Sequence, residues 1–91
     1  MPHAEQEIIR NLRQESSRNE AFKELVLRYQ ERLYWHIRKI VISHEDADDV
    51  LQNTLMKAWK NIGSFREESS LFTWLYRIAT NESLTFINSR K

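Results

Sequence analysis

The sequence predicts a small all-α fold, a bundle of three to four helices around one core. Of its 91 residues only one is Gly and one is Pro, too few for the many tight turns of an all-β domain. Apolar residues recur three and four positions apart along most of the chain, which is the period of an amphipathic helix. A hydrophobic content of 41% with 30% charged residues is typical of a folded chain. The length allows one domain, so residues 1–91 are assigned to a single unit.

The first two helices are predicted over residues 5–14 and from about Asn19 onwards. Residues 16–19 separate them, because Ser and Asn compete for helical hydrogen bonds and favour N-caps. Apolar residues mark one side of each helix: Ile8, Ile9 and Leu12 in the first, and Phe22, Leu25, Val26, Tyr29, Leu33, Ile37, Ile40 and Val41 in the second. The pattern leaves open whether the first helix packs on the bundle.

The third and fourth helices have recognisable start signals. Ser43 and Asp46 have capping-box spacing at the start of the third, and residues 69–70 form a Ser-Ser cap before the fourth. Gly63 follows the third helix where a left-handed C-cap is expected. The apolar stripe of the third helix is Ala47, Val50, Leu51, Thr54, Leu55, Ala58, Trp59 and Ile62, and that of the fourth is Leu71, Leu75, Ile78, Ala79 and Phe86. Helices two to four are therefore predicted to surround one core.

Several classes of activity are excluded by what the sequence lacks. Without Cys there is no disulfide or thiolate nucleophile, which fits a reducing cytoplasm. There is no Gly-rich phosphate loop, and neither His36 nor His44 has a second ligand at metal spacing. No apolar run approaches the ~18 residues that span a membrane, and the first residues do not resemble a signal peptide. We therefore expect a cytoplasmic protein that is not an enzyme, with no metal, no cofactor and no membrane insertion.

Aromatic side chains lie close to arginines in and just before the fourth helix. Trp74 and Tyr76 flank its apolar stripe with Arg77 beside them, and Phe65 and Arg66 lie in the preceding loop. Aromatic rings near arginines suit stacking on unpaired bases, worth roughly 1–3 kcal/mol per base. Because large aromatic side chains are also common in cores, both interpretations stay open for Trp74 and Tyr76.

Charge is segregated along the chain, although the net formal charge is only +1. Residues 44–56 carry four carboxylates and no Lys or Arg, whereas residues 57–91 carry six Lys or Arg against three Glu. Asp48, Asp49, Gln52 and Asn53 share one polar face of the third helix. This pattern indicates either a solvated helix face or a docking surface for a basic partner.

Five parts of the sequence form a recognisable series: Ala21, Phe22, Leu25, Val26 and Tyr29, then residues 46–52 (DADDVLQ), 57–59 (KAW), 64–66 (SFR), and 72–79 (FTWLYRIA) with Asn81. Together they resemble conserved region two of bacterial sigma factors of the extracytoplasmic-function (ECF) class. The resemblance covers roughly residues 5–91. It implies a domain that docks on core RNA polymerase and recognises and melts the minus-ten promoter element. The alternative is a helical adaptor that binds polymerase or a regulator without reading DNA.

The resemblance also implies roles for individual positions. Residues of the acidic segment would dock on the clamp helices of the polymerase beta-prime subunit: Asp46, Asp49, Gln52 and Asn53. Residues of the loop after Gly63 and of the fourth helix would open the minus-ten element and hold a base flipped from the non-template strand: Ser64, Phe65, Arg66, Thr73, Trp74 and Asn81. Basic residues further on would lie along the upstream duplex: Arg77, Arg90 and Lys91. An anti-sigma factor is an implied partner.

The sequence departs from the family pattern at three of these places. One is the segment of residues 84–91, which is poorer in Lys and Arg than is usual in the family. Family members often have Gly after the Phe-Arg pair, whereas this chain has Glu67 and Glu68, which add negative charge beside the proposed base pocket. Asn53 stands where Glu is common. Complete members of the family continue into a helix-turn-helix domain that reads the minus-thirty-five element, so the chain is expected to be a fragment of a longer factor.

Overall fold

Four α-helices and a short 3₁₀ turn build the protein in a computed structural model that describes residues 5–89. The helices are α1 (Glu5–Leu12), α2 (Arg18–Arg38), α3 (His44–Asn61) and α4 (Leu71–Ser89), and the 3₁₀ turn (Ile62–Ser64) continues α3. No strand occurs between residues 5 and 89, so the all-α prediction is confirmed.

The first helix ends two residues earlier than predicted because side chains from outside it satisfy its last carbonyl groups. The Ser17 hydroxyl donates to the Asn11 carbonyl at 2.8 Å, and Arg18 Nε donates to the Leu12 carbonyl at 2.9 Å. Helix ends need such partners for their free backbone groups. Ser17 therefore closes α1 and makes no side-chain cap on α2.

Each helix contributes one apolar stripe to a shared core. α2 packs against all three other helices, and α3 also packs against α4. The largest completely buried apolar side chains come from all four helices: Ile8, Leu25, Leu33, Ile37, Val50, Leu71 and Leu75. Burial of one such side chain stabilises the fold by about 1.5–3 kcal/mol. The first helix is part of this core, which settles whether it packs on the bundle.

Small buried residues line α3 and α4 where the two helices pack together. Ala47, Ala58 and Ala79 are completely buried, as are the hydroxyl side chains of Thr54 and Ser83. Thr54 donates to the Val50 carbonyl and Ser83 to the Ala79 carbonyl, each at 2.8 Å. These bonds remove the cost of burying an unpaired polar group.

Both predicted serine caps are confirmed, and the predicted glycine cap is wrong. Ser43 Oγ accepts from the Asp46 backbone N–H at 3.0 Å, and Ser70 Oγ accepts from the Thr73 backbone N–H at 3.1 Å. Gly63 has no positive φ, because the chain after α3 tightens into a right-handed 3₁₀ turn instead of ending in a left-handed residue. Glu67 is the residue that adopts a left-handed conformation, with φ of 60°.

Candidate functional site

The four residues predicted to bind polymerase form one surface of α3, here called the acidic face. Asp49, Gln52 and Asn53 are exposed and Asp46 is half-buried. Their spacing places them on one side of the helix, away from its buried stripe of Ala47, Val50, Thr54 and Ala58. The structure therefore places on one side of α3 the four side chains that the family resemblance assigned to one partner.

Asp48 was predicted to share the polar face of Asp49, Gln52 and Asn53, but it is half-buried and belongs to a different surface, between α2 and α3. Its carboxylate lies 3.3 Å from His44 Nε2, and His44 Nδ1 is hydrogen-bonded to the Tyr34 hydroxyl. Arg38 donates to that same hydroxyl at 3.0 Å. This chain of polar contacts joins the C-terminal part of α2 to the start of α3, and so fixes the direction in which the acidic face points.

Residues 62–70, here called the base loop, connect α3 to α4. Phe65, which the resemblance places among the residues that open the minus-ten element and hold a base, is only 5% exposed and belongs to the core. Burial of a phenyl ring stabilises the fold by about 1.5–3 kcal/mol. A direct contact between this ring and a base is therefore not available in this conformation. The centre of the Phe65 ring lies 5.3 Å from the centre of the Trp74 ring, with 53° between the ring planes, so Phe65 packs against Trp74.

Arg13 holds the base loop from the turn after α1. Its Nη2 donates to the Phe65 carbonyl at 3.2 Å and to the Glu67 carboxylate at 3.0 Å. Sequence reasoning missed Arg13, since nothing local marks a residue whose partners lie 52 and 54 positions away. The pairing places a cation beside the negative charge that Glu67 adds to the loop.

Trp74, Arg77 and Asn81 follow one another along α4 at intervals of three and four residues, and are here called the outer stripe. Arg77 and Asn81 are exposed, and Trp74 is half-buried. This spacing places the three side chains on one side of a single helix. The outer stripe begins one turn after the base loop ends.

The other predicted DNA-binding residues have different positions. Arg66 and Ser64 are exposed in the base loop, and the Ser64 hydroxyl donates to the Asn61 carbonyl at 2.8 Å. Thr73 takes part in the cap of α4, where its hydroxyl accepts from Ser70 Oγ at 2.9 Å. Arg90 and Lys91 lie outside the residues that the structure describes.

Two further findings concern residues 5–89 as a whole. That part of the chain holds no group of three or more His, Cys, Asp or Glu side chains placed to bind a metal ion. It also has no helix of sufficient length and apolarity to cross a lipid bilayer.

Comparison with known families identifies the domain. The family model for sigma-70 region 2 matches residues 25–91. The chain belongs to the sigma-70 region 2 family. Its curated relatives are sigma factors, several of them named as ECF factors, which confirms the class that the motifs indicated.

Three sigma factors show how far the likeness to this region 2 chain extends. The RNA polymerase sigma-H factor of Pseudomonas aeruginosa is 40% identical over 70 residues, covering 77% of this chain and 36% of the relative. The ECF sigma factor SigG of Mycobacterium tuberculosis is 44% identical over 63 residues, covering 69% and 17%. The ECF sigma-E factor of Escherichia coli is 40% identical over 67 residues, covering 74% and 35%. The chain spans about a third or less of the length of these relatives.

A solved region 2 domain has the same fold. An NMR structure of an engineered region 2 of sigmaE, in complex with GTAAAA, superposes with a TM-score of 0.84 at 30% sequence identity. The match covers 97% of this chain and 90% of the other. It therefore includes α1 and the start of α2, which precede the residues matched by the family model.

Proposed function

We propose that this region 2 chain is the part of an ECF sigma factor that docks on core RNA polymerase and recognises and melts the minus-ten promoter element. The observation that carries the proposal is the outer stripe, which places an aromatic ring, a guanidinium and an amide on one rigid helix beside an anchored loop. The likeness to an engineered region 2 in complex with GTAAAA supports a single-stranded DNA ligand.

The outer stripe and base loop have the chemistry that an extruded base needs. Taking a base out of a duplex costs a few kcal/mol, which stacking and edge hydrogen bonds can offset. Trp74 offers a partly exposed ring that Phe65 holds in place, and Asn81 offers both a donor and an acceptor for a base edge. Arg66 and Arg77 are exposed and suited to phosphate contacts.

The acidic face supplies the proposed contact with polymerase. Exposed carboxylate and amide side chains on one side of α3 suit a basic partner helix, such as the clamp helices of the beta-prime subunit. With a net charge of only +1, bulk electrostatic attraction to DNA is weak, so promoter affinity would come largely through the polymerase complex. An anti-sigma factor is a further proposed partner, on the strength of the family resemblance.

Binding of the hexamer GTAAAA to the purified chain tests the proposal. We expect Asn81→Ala and Trp74→Ala each to weaken binding by about fivefold or more, measured by fluorescence anisotropy, since each removes about 1 kcal/mol or more of base contact. Asn19→Ala, which removes an exposed amide from the start of α2, is the matched control and should bind normally. Thermal denaturation checks that each variant is folded.

Two results would contradict the proposal. Unchanged hexamer binding in both α4 variants would remove the outer stripe from DNA recognition. Retained binding to core polymerase by a wild-type chain that binds no DNA would instead support the adaptor function.

A further inference from the structure

A groove of about 430 Å³ lies between α2 and α4, on the side of α4 away from Asn81. Its cationic walls come from Arg28, Arg32 and Lys39 of α2, and its aromatic surface includes Trp35, Phe72 and Tyr76. Neither the acidic face nor the base loop contributes to it. The sequence motifs did not indicate this groove, because its two walls come from helices distant in sequence.

The aromatic rings of the groove are held in fixed orientations. The Arg32 guanidinium lies 4.0 Å from the centre of the Phe72 ring, and the His36 ring stacks on Tyr76 at 3.6 Å with an interplanar angle of 25°. His36 Nε2 is also 2.7 Å from the Thr80 hydroxyl, and that hydroxyl donates to the Tyr76 carbonyl, so His36 Nε2 is the donor to Thr80. Rings fixed before binding lose little conformational entropy when a ligand stacks on them.

Two of these rings remain available to a ligand. Trp35 is 55% exposed, although Tyr34 supports it edge-on at 5.1 Å, and Tyr76 is 38% exposed. An exposed Trp and Tyr beside cations is the combination that binds single-stranded nucleic acid without regard to sequence. Leu27, which is 75% exposed, adds apolar surface at the edge of the same groove. Exposed rings and an apolar edge beside cations therefore point to a ligand that stacks.

The groove has a larger excess of positive charge than the chain as a whole. Arg28, Arg32 and Lys39 outnumber the single carboxylate in its lining, Glu31, whereas the whole chain has a net charge of only +1. A concave basic surface attracts an anionic polymer and makes its binding depend on salt. The groove is thus suited to phosphates as well as to aromatic rings.

The groove also adjoins the proposed DNA surface. Arg77 directly follows Tyr76 in α4, and Thr73 precedes Tyr76 by three residues. Because successive helical residues are rotated by about 100°, Thr73 and Arg77 lie on the helix surface between Tyr76 and Asn81. A strand that leaves the outer stripe across Arg77 therefore reaches Tyr76 and then the groove.

We propose that the groove is a second subsite for single-stranded nucleic acid, which takes nucleotides that adjoin those bound at the base loop and outer stripe. Trp35 and Tyr76 stack on bases, and Arg28, Arg32 and Lys39 contact phosphates. The continuity of the strand rests on the proposed function, whereas the groove's affinity for a single strand does not. An acidic protein segment would match the charges but would make no use of the exposed rings.

Oligonucleotides of two lengths test the subsite. The hexamer GTAAAA is compared with 12-mers that extend it by six thymidines at either end. We expect at least one extension to tighten binding by about tenfold, and the slope of log K against log salt to steepen by about 0.7 for each added phosphate contact. Arg32→Ala and Trp35→Ala should each remove most of that gain and leave hexamer affinity within about twofold.

Control variants and alternative outcomes make the result decisive. Lys23→Ala removes one positive charge from α2 outside the groove and should keep the full gain. Equal affinity of the wild-type chain for the hexamer and for both 12-mers would overturn the proposal, as would groove variants that retain the gain. The proposal would also be overturned if Arg32→Ala and Trp35→Ala weakened binding to polymerase but left the gain from the longer oligonucleotide unchanged. That result would assign the groove to an acidic protein segment.

Failure of the proposed function gives a different result. In that case the wild-type chain does not bind GTAAAA, or binds it independently of Asn81. Binding of a thymidine 12-mer that is weakened by Arg32→Ala and Trp35→Ala would still support the groove as a single-strand site.

Discussion

Arg13 forms an ion pair with Glu67 across 54 positions of the chain, at 3.0 Å. The same guanidinium nitrogen donates to the Phe65 carbonyl, so the turn after α1 is joined directly to the base loop. Arg13 lies outside residues 25–91, the part matched by the family model. The shape of the proposed base-binding loop therefore depends on a segment that the family motif does not include.

Loss of the two Arg13 contacts with the base loop should affect DNA binding more than the stability of the fold. We predict that Arg13→Ala weakens hexamer binding by about fivefold, because the base loop loses two of its contacts. The free energy of unfolding should fall by about 1 kcal/mol or less, as is usual for an exposed ion pair. Fluorescence anisotropy and urea denaturation measure the two effects. Lys23→Ala, which breaks the exposed pair with Glu20, is the matched control and should leave hexamer binding unchanged.

Position 67 should be more stable with Gly than with Ala, whereas position 63 should be more stable with Ala than with Gly. Glu67 holds a φ of 60°, so Glu67→Gly should be more stable than Glu67→Ala by about 1 kcal/mol, although both lose the carboxylate. Gly63 has no positive φ, and a Cβ there meets nothing within 4 Å, so Gly63→Ala should stabilise the fold by about 0.4–1 kcal/mol. Urea denaturation of the three variants and the wild type checks both signs, and a destabilised Gly63→Ala would contradict the assignment of this turn.

Glu5 ties the first helix to two others. Its carboxylate accepts from the Tyr29 hydroxyl at 2.8 Å and from the Leu71 backbone N–H, at the start of α4, at 3.1 Å. We predict that Glu5→Gln, which loses one of the two acceptors, lowers the free energy of unfolding by about 1–2 kcal/mol. Glu15→Gln, in an exposed turn, should change it by less than about 0.5 kcal/mol.

The Glu5 substitution should also change the ionisation of Tyr29. Burial, together with the hydrogen bond and negative charge of Glu5, raises the pKa of the Tyr29 phenol above its ordinary value. Removing the Glu5 charge should therefore lower that pKa towards the ordinary value. Ultraviolet titration of the wild type and the variant measures the change, and identical curves would contradict the contact.

Charge reversal on the acidic face should separate polymerase binding from folding. We predict that Asp49→Lys weakens binding to core polymerase by about tenfold or more, because a basic partner then meets a like charge. Asp49 is exposed, so the free energy of unfolding should change by less than about 0.5 kcal/mol. Glu20→Lys is the matched reversal on α2 and should bind polymerase normally. A large loss of stability in Asp49→Lys would show that Asp49 has a structural role instead.

His36 should make the fold less stable as the pH falls below neutrality. Burial, followed by the positive charge of Lys39, lowers the pKa of the His36 imidazole below its ordinary value of 6.5. At pH values between 6.5 and the lower pKa of the folded chain, His36 is protonated more in the unfolded chain than in the folded one. Acidification through this range therefore favours unfolding. We predict that His36→Leu reduces the loss of stability between pH 7.5 and 5.5. Urea denaturation at both pH values measures it, and an unchanged loss would assign the effect to other groups.

The sequence was sufficient for features that depend on residues close together in the chain. Helical periodicity predicted the helices, and the caps at Ser43 and Ser70 were confirmed because a cap joins residues only three positions apart. Spacing along one helix also decides which residues share a side, so Asp49, Gln52 and Asn53 of the acidic face were predicted in the same way. Asp46 joined them through the family resemblance, whereas Asp48, predicted for that face, turns to His44 instead. The family resemblance likewise depends on short segments in a fixed order.

Only the tertiary structure decided which way the base loop faces and what holds it. No helical period runs through residues 65–70, so nothing local indicated that the Phe65 ring turns into the core. The contacts from Glu5 to Leu71 and from Arg13 to Glu67 join residues 66 and 54 positions apart. The α2–α4 groove likewise exists only when two distant helices pack. Such contacts form because burial of the apolar stripes brings the segments together, and that packing is a property of the whole chain rather than of any segment.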